Sequence, residues 1–169
     1  SYHSQVVFDD FHVRRASYWS LLISPTAGVT FGINPIWVWR EDVGPAEEHA
    51  GLDNVQPWRA GLDTPGTRSM SILHDFFASL PWWTLRPAPE LLAAQPGDAA
   101  PSRFIAAAQT TDGAHTVIYT PEGSEIALSA GISGKAQWFN PRTGARIDAG
   151  TGETFATPDG QDWVLHFSK

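Results

Sequence analysis

Nucleophilic, metal-assisted and acid–base chemistry each need particular side chains at particular spacings, and this 169-residue chain offers few of them. There is no cysteine, which excludes thiol nucleophiles, thiolate metal sites and disulfides. His12, His49, His74, His115 and His166 show no HxH or HxxxH spacing, so no metal site is expected and no cofactor is implied. Four of the 18 carboxylates cluster in "REDVGPAEEH", where Glu41, Asp42, Glu47 and Glu48 could reach a bound molecule, although such a run ordinarily marks a solvated loop. What remains is tryptophan. "INPIWVW" sets Asn34, Trp37 and Trp39 close together. Taken alone, these two indoles read as core, because tryptophan is usually buried for its packing.

The elements that must position these residues fall into two stretches. Asp9 or Asp10 can cap a helix over "DFHVRRASYWSLL", whose apolar side has helical period and which Pro25 ends. Ala27 to Ile33 then predicts a strand, with Val29, Phe31 and Ile33 on one face and Gly28, Thr30 and Gly32 on the other. A second helix is expected from Thr67 to Leu80, capped by Asp63 or Thr64 and stopped by Pro81. Helix, strand, helix is an α/β unit, but it holds a single strand with no parallel neighbour.

From about Pro89 the pattern changes. "RPAPELLAAQPGDAAP" is a candidate linker or domain edge, and six short strand candidates follow, in "RFIAAAQT", "AHTVIYTP", "SEIALSA", "KAQWFNP", "GETFATP" and "DWVLHFS". Turn residues separate them, and Val117/Tyr119 alternate with Ile118 as Trp163/Leu165/Phe167 do with Val164/His166. That reads as an antiparallel β-sandwich with Trp138 and Trp163 in its core, while Trp19, Trp82 and Trp83 read as structural. The net charge of −7 has no basic run to neutralise phosphates, so nucleic acid is excluded as an expected partner. No apolar stretch approaches the ~20 residues of a membrane span, and no signal-peptide pattern opens the chain.

The order of features resembles a known family. "DDFHVRRASYWSLLISPTAGVTFGINPIWVW", "LDTPGTRSMSILHDFFASLPWWTLRP", "WFNPRTG" and "DWVLHF" resemble, in that sequence, the C-terminal part of the apiosidase-like glycoside hydrolases. In that family a (β/α)8 barrel precedes a small β-sandwich labelled a putative collagen-binding domain. The resemblance implies that residues 1–87 are the last helix-strand-helix segment of the barrel, an incomplete TIM-barrel catalytic domain, and that 88–169 are the sandwich. A whole barrel takes roughly 250 residues, so strands one to seven are expected before Ser1, in a complementary N-terminal polypeptide. The chain is thus expected to be a subunit or fragment.

The chemistry implied is retaining glycoside hydrolysis by two carboxylates about 5–5.5 Å apart, both from earlier strands. The family's Glu-Pro-x-Tyr pattern after strand seven is matched here only by Ser1 and Tyr2, and His3 stands where many relatives have a further Glu. No catalytic carboxylate is carried over. The expected remainder is a cleft wall at the C-terminal ends of the strands: Asn34, Trp37 and Trp39 after strand eight, Tyr2 and His3 after strand seven. Indole faces suit the C–H face of a sugar ring while hydroxyls bond to Asn, His or Tyr, and Trp37 is the first choice for that platform. The alternative is a non-catalytic carbohydrate- or protein-binding sandwich module.

Overall fold

The computed structural model describes residues 8–46 and 52–169. Helix α1 (Asp10–Ile23) begins where the Asp9 carboxylate accepts from the His12 backbone N–H at 3.2 Å, satisfying one orphan donor of the first turn. Arg14, Ser17, Tyr18, Leu21 and Leu22, spaced three and four apart, form its buried stripe. Helix α3 (Pro65–Ala78) opens with a reciprocal capping box between Thr64 and Thr67, with proline in its first turn. It buries Ser69, Leu73, Phe76 and Phe77.

Between them lies the principal correction to the sequence reading. Residues 27–33 form no strand: the backbone is irregular and reaches an extended conformation at Ile33 before the short helix α2 (Asn34–Val38). A strand is defined by its ladder, and among the described residues none pairs with this segment. It rests instead on α3, where the absence of a side chain at Gly66 lets the Phe31 ring approach. A Cβ there would lie 2.9 Å from the Phe31 ring.

The remaining strands are β1 (Leu85–Pro87), β2 (Ala106–Thr110), β3 (His115–Thr120), β4 (Glu125–Ala127), β5 (Lys135–Phe139), β6 (Arg146–Gly150), β7 (Thr154–Ala156) and β8 (Trp163–Ser168). Six of them make an antiparallel sheet in the order β1-β2-β3-β8-β5-β6, and β4 and β7 pair as a small second sheet. The six strand candidates all appear, and the alternation holds. Val117, Tyr119 and Val164 face the helices, while Ile118, Trp163, Leu165 and Phe167 face the second sheet. Two strands escaped the sequence reading. β1 and β6 are the outer edges of the large sheet, with mostly exposed side chains and hence no apolar alternation.

One face of the large sheet therefore carries α1 and α3, and the other carries the β4–β7 pair. On the helix side the rings of Tyr18 and Tyr119 stack at 4.7 Å and 3°, and Phe76 meets Phe139 at 4.6 Å. Arg14 reaches from α1 to Asp162 just before β8, with Nε and a terminal nitrogen on the two carboxylate oxygens at 2.8 and 3.2 Å. Both residues are buried, at 4% and 1% exposure. Burial opposes the guanidinium's charge, yet Asp162 and Asp10 outweigh it and push its pKa above the usual arginine value. The proline-rich stretch after β1 winds into three short 3₁₀ turns, at Pro89–Leu91, Pro96–Asp98 and Pro101–Arg103. Gln95 fastens it to the sheet, accepting from the Ile105 N–H at 2.9 Å and donating to the Ile105 carbonyl at 2.8 Å. Trp138 and Trp163 lie in the core as expected, whereas Trp83 is 66% exposed.

Candidate functional site

The site grows from the end of residues 27–33. Pro35 has no N–H to lose at the start of a helix and a preset φ, so "NPIWV" turns directly into α2. Asn34 and Trp37 sit one turn apart, and the Trp37 indole N–H donates to the Asn34 side-chain oxygen at 2.9 Å. That bond fixes the Trp37 ring, which remains 42% exposed.

Trp39 ends α2 in the left-handed conformation, φ 57° and ψ 44°, the one non-glycine residue with positive φ among those described. A bulky L-residue pays about 1–2 kcal/mol for this backbone, and something must offset it. Its ring stacks on Trp58 at 4.5 Å and 12°. Trp58 is brought there by an excursion that doubles back on itself. Gly44 and Val55 exchange backbone hydrogen bonds at 3.2 and 2.8 Å, and the Trp58 N–H donates to the Arg40 carbonyl at 2.9 Å. Trp58 opens a 3₁₀ turn (Trp58–Gly61) packed on α2, and Gly61 permits the contact, since a Cβ there would stand 2.7 Å from Ile36 Cγ1.

Arg59 completes the group. Its guanidinium carbon lies 4.4 Å from the Trp58 ring centroid, and it donates to Glu41 at 2.7 Å. Glu41 also accepts from the Trp58 indole N–H at 3.3 Å. These donors, Arg59 first and then Trp58, hold the Glu41 carboxyl below the usual glutamate range.

The structure places Asn34, Trp37 and Trp39 at one end of one segment, which is not a strand. Tyr2 and His3, the other two expected wall residues, lie outside the described residues, as do Glu47, Glu48 and His49. Sequence reasoning missed Trp58 and Arg59. Their partner Trp39 lies 19 positions earlier, and the only local signal was a tryptophan after Pro57 in an otherwise polar stretch. Among the described residues no group of three or more His, Asp or Glu is placed to hold a metal ion, and no helix is long and apolar enough to cross a membrane.

The fold that carries this site is similar to part of solved glycoside hydrolase structures. A solved structure named "Glycoside hydrolase" superposes with a TM-score of 0.78 and 22% identity, covering 98% of this chain and 38% of its own. A glycoside hydrolase family 5 crystal structure from Bacteroides vulgatus ATCC 8482 does so at 0.73 and 20%, covering 98% and 37%. The chain therefore spans less than two fifths of the length of either structure. The sequence itself matches two family models. Residues 1–84 match the family model "Apiosidase-like, catalytic domain", and residues 87–167 match "Putative collagen-binding domain of a collagenase". In sequence the chain is thus apiosidase-like in its first half and similar to the collagen-binding family in its second. A comparison with curated proteins gave no match.

Proposed function

We propose that this chain supplies the last helix-strand-helix segment of a (β/α)8 barrel, together with its accessory sandwich, to a retaining glycoside hydrolase acting on plant or microbial glycans. The catalytic carboxylates lie in a complementary N-terminal barrel polypeptide, and residues 27–33 become a strand when that polypeptide provides the ladder. One observation carries this reading. An unpaired, partly extended segment lies between two helices in a chain of glycoside hydrolase architecture, and its C-terminal end holds Asn34, Trp37 and Trp39. Barrel active sites gather at the C-terminal ends of their strands. In the complete barrel these residues form part of the cleft wall, with Tyr2 and His3 beside them.

The sandwich braces the helices. Trp138, Phe155, Trp163 and Phe167 are consumed by its own core, which leaves the binding-module alternative without a row of sugar-stacking aromatics on this unit.

Native mass spectrometry of the chain as purified from its source tests the assembly. A stoichiometric partner large enough to hold seven further strands supports it, and a stable, monodisperse 18.4 kDa monomer with no complement refutes it. In the reconstituted enzyme, Trp37→Ala is expected to weaken substrate binding or turnover at an unchanged melting temperature. A large fall in melting temperature with unaltered kinetics would remove Trp37 from the cleft.

A further inference from the structure

The turn that follows α3 throws Trp83 outward. Leu80 and Leu85 are buried, and the 3₁₀ turn between them (Trp82–Thr84) leaves Trp83 66% exposed. Trp82 is half-buried and meets the Trp83 ring edge-on at 6.4 Å. Together with Leu21, Pro25 and Thr26 at the end of α1, and with Leu85 and Arg86 of β1, the two indoles line a notch of about 200 Å³. It lies at the Thr26 end of the segment whose other end leads into Asn34.

Arg86 supplies the charge. One of its terminal nitrogens donates to the Leu85 carbonyl at 2.7 Å and to the Trp83 carbonyl at 3.2 Å, which uses both hydrogens of that nitrogen and pins the guanidinium. The Nε side of the fork has no hydrogen bond or ion pair among the described residues, and neither have the indole N–H groups of Trp82 and Trp83. No carboxylate lines the notch. Asp112, in the turn after β2, is held instead by the Thr110 hydroxyl at 2.7 Å and the Ala114 N–H at 2.9 Å. The Thr26 hydroxyl is likewise engaged, with both the N–H and the carbonyl of Gly28. The lining thus offers N–H donors over an apolar floor, with no free side-chain acceptor, in a chain of net charge −7.

We propose that this notch binds a small aromatic monocarboxylate, its ring packed on the indoles and its two oxygens on the Nε side of the Arg86 fork. The pairing of a planar carboxylate with a guanidinium is bidentate and charge-assisted, and a guanidinium already pinned by two carbonyls loses little freedom when it forms. Indoles favour an aromatic body because rings pack on them edge-on or offset. The volume is below the ~300 Å³ of ordinary small-molecule pockets, which limits the occupant to about one ring. The site stands on its own residues and does not depend on the glycoside hydrolase reading.

The test titrates the full chain with benzoate, with benzamide as its neutral counterpart and with acetate as an anion that lacks the ring, read by the NMR signals of the indole N–H and arginine Nε–H groups. Benzoate is expected to shift the Trp82, Trp83 and Arg86 signals saturably and to bind about tenfold or more tightly than benzamide, the scale of losing charge-assisted hydrogen bonds. Acetate should bind more weakly than benzoate. Arg86→Gln should abolish the preference for benzoate over benzamide, and Arg86→Lys, which keeps the charge without the fork, should restore only part of it. Trp83→Ala should weaken benzoate binding about fivefold and leave acetate binding unchanged. Both side chains are exposed, so these variants should keep the wild-type melting temperature. No saturable shift with benzoate, equal binding of benzamide, or undiminished benzoate binding by Arg86→Gln overturns the proposal. Shifts confined to Trp37 and Trp39 overturn it too, while leaving the cleft reading in place.

Discussion

His166 on β8 is expected to make the docking of α3 onto the sheet sensitive to acid. The ring is 6% exposed and has neighbours from three other elements. A terminal nitrogen of Arg146 on β6 donates to its Nδ1 at 3.2 Å, its Nε2 meets His115 Nδ1 on β3 at 3.1 Å, and the Phe76 ring of α3 packs edge-on at 5.5 Å. Arginine cannot accept, so Nδ1 must be the bare nitrogen and Nε2 must carry the proton. Protonation would turn an N–H towards an N–H. Burial first, then Arg146 and His115, depress the His166 pKa from 6.5 to about 4.

The unfolded chain therefore binds more protons than the folded one between these two values. Stability is complete above about pH 6.5, falls as the pH drops towards 4 and levels off below. At roughly 1.4 kcal/mol per pH unit the full swing is about 3 kcal/mol. Urea unfolding of wild type and His166→Gln from pH 4 to 8 isolates it, because carboxylates shared by both proteins cancel in the difference. The stability advantage of wild type should shrink by about 3 kcal/mol between pH 7 and 4, with the change centred in that window. Parallel curves for the two proteins would refute the neutral-histidine argument.

Two further substitutions probe the same interface. Asp162→Ala leaves the Arg14 guanidinium buried with only Asp10 and Ser69 and should cost about 3–5 kcal/mol in denaturant unfolding. Arg14→Met combined with Asp162→Leu should recover most of that loss. Tyr18→Phe runs the other way. The hydroxyl of Tyr18 is buried without a hydrogen-bond partner among the described residues, and burial pushes its pKa far up. Its removal should stabilise by about 1 kcal/mol, and a comparable loss in thermal unfolding would mean that the hydroxyl is satisfied after all.

The local rules carried the fold a long way. Caps at Asp9 and Thr64, prolines at 25 and 81 and the spacing of Tyr18, Leu22, Leu73 and Phe77 mark both long helices within a few residues. Alternation marks β3 and β8 because both of their faces are buried against different layers. The same logic fails at β6, whose side chains face solvent, and at residues 27–33, where a period-two pattern is present but the ladder is not. Pattern reports which face could be buried, whereas a strand needs a neighbour. Trp39 and Trp58, like Arg14 and Asp162, 148 positions apart, meet only through tertiary structure. No spacing rule reaches that far.

This division explains how the segment bearing the site is held. α1 and α3 turn their apolar stripes to the sheet, and Arg14–Asp162 and the Tyr18–Tyr119 stack lock α1 there. What α1 leaves uncovered faces residues 26–30, across a shallow groove lined by Ser17, Ser20, Ile23, Thr26 and Val29, while Gly66 of α3 meets Phe31. Loosening the sheet contacts would therefore shift both supports of the 27–33 segment, and with it Asn34 and Trp37. If the sandwich acts as that brace, Asp162→Ala should impair glycan turnover in an assembled enzyme through lost alignment even though Asp162 is far along the chain. A double substitution that restores packing without the ion pair should restore turnover as well. Restored stability without restored turnover would instead assign Arg14 and Asp162 a role beyond holding the helix in place.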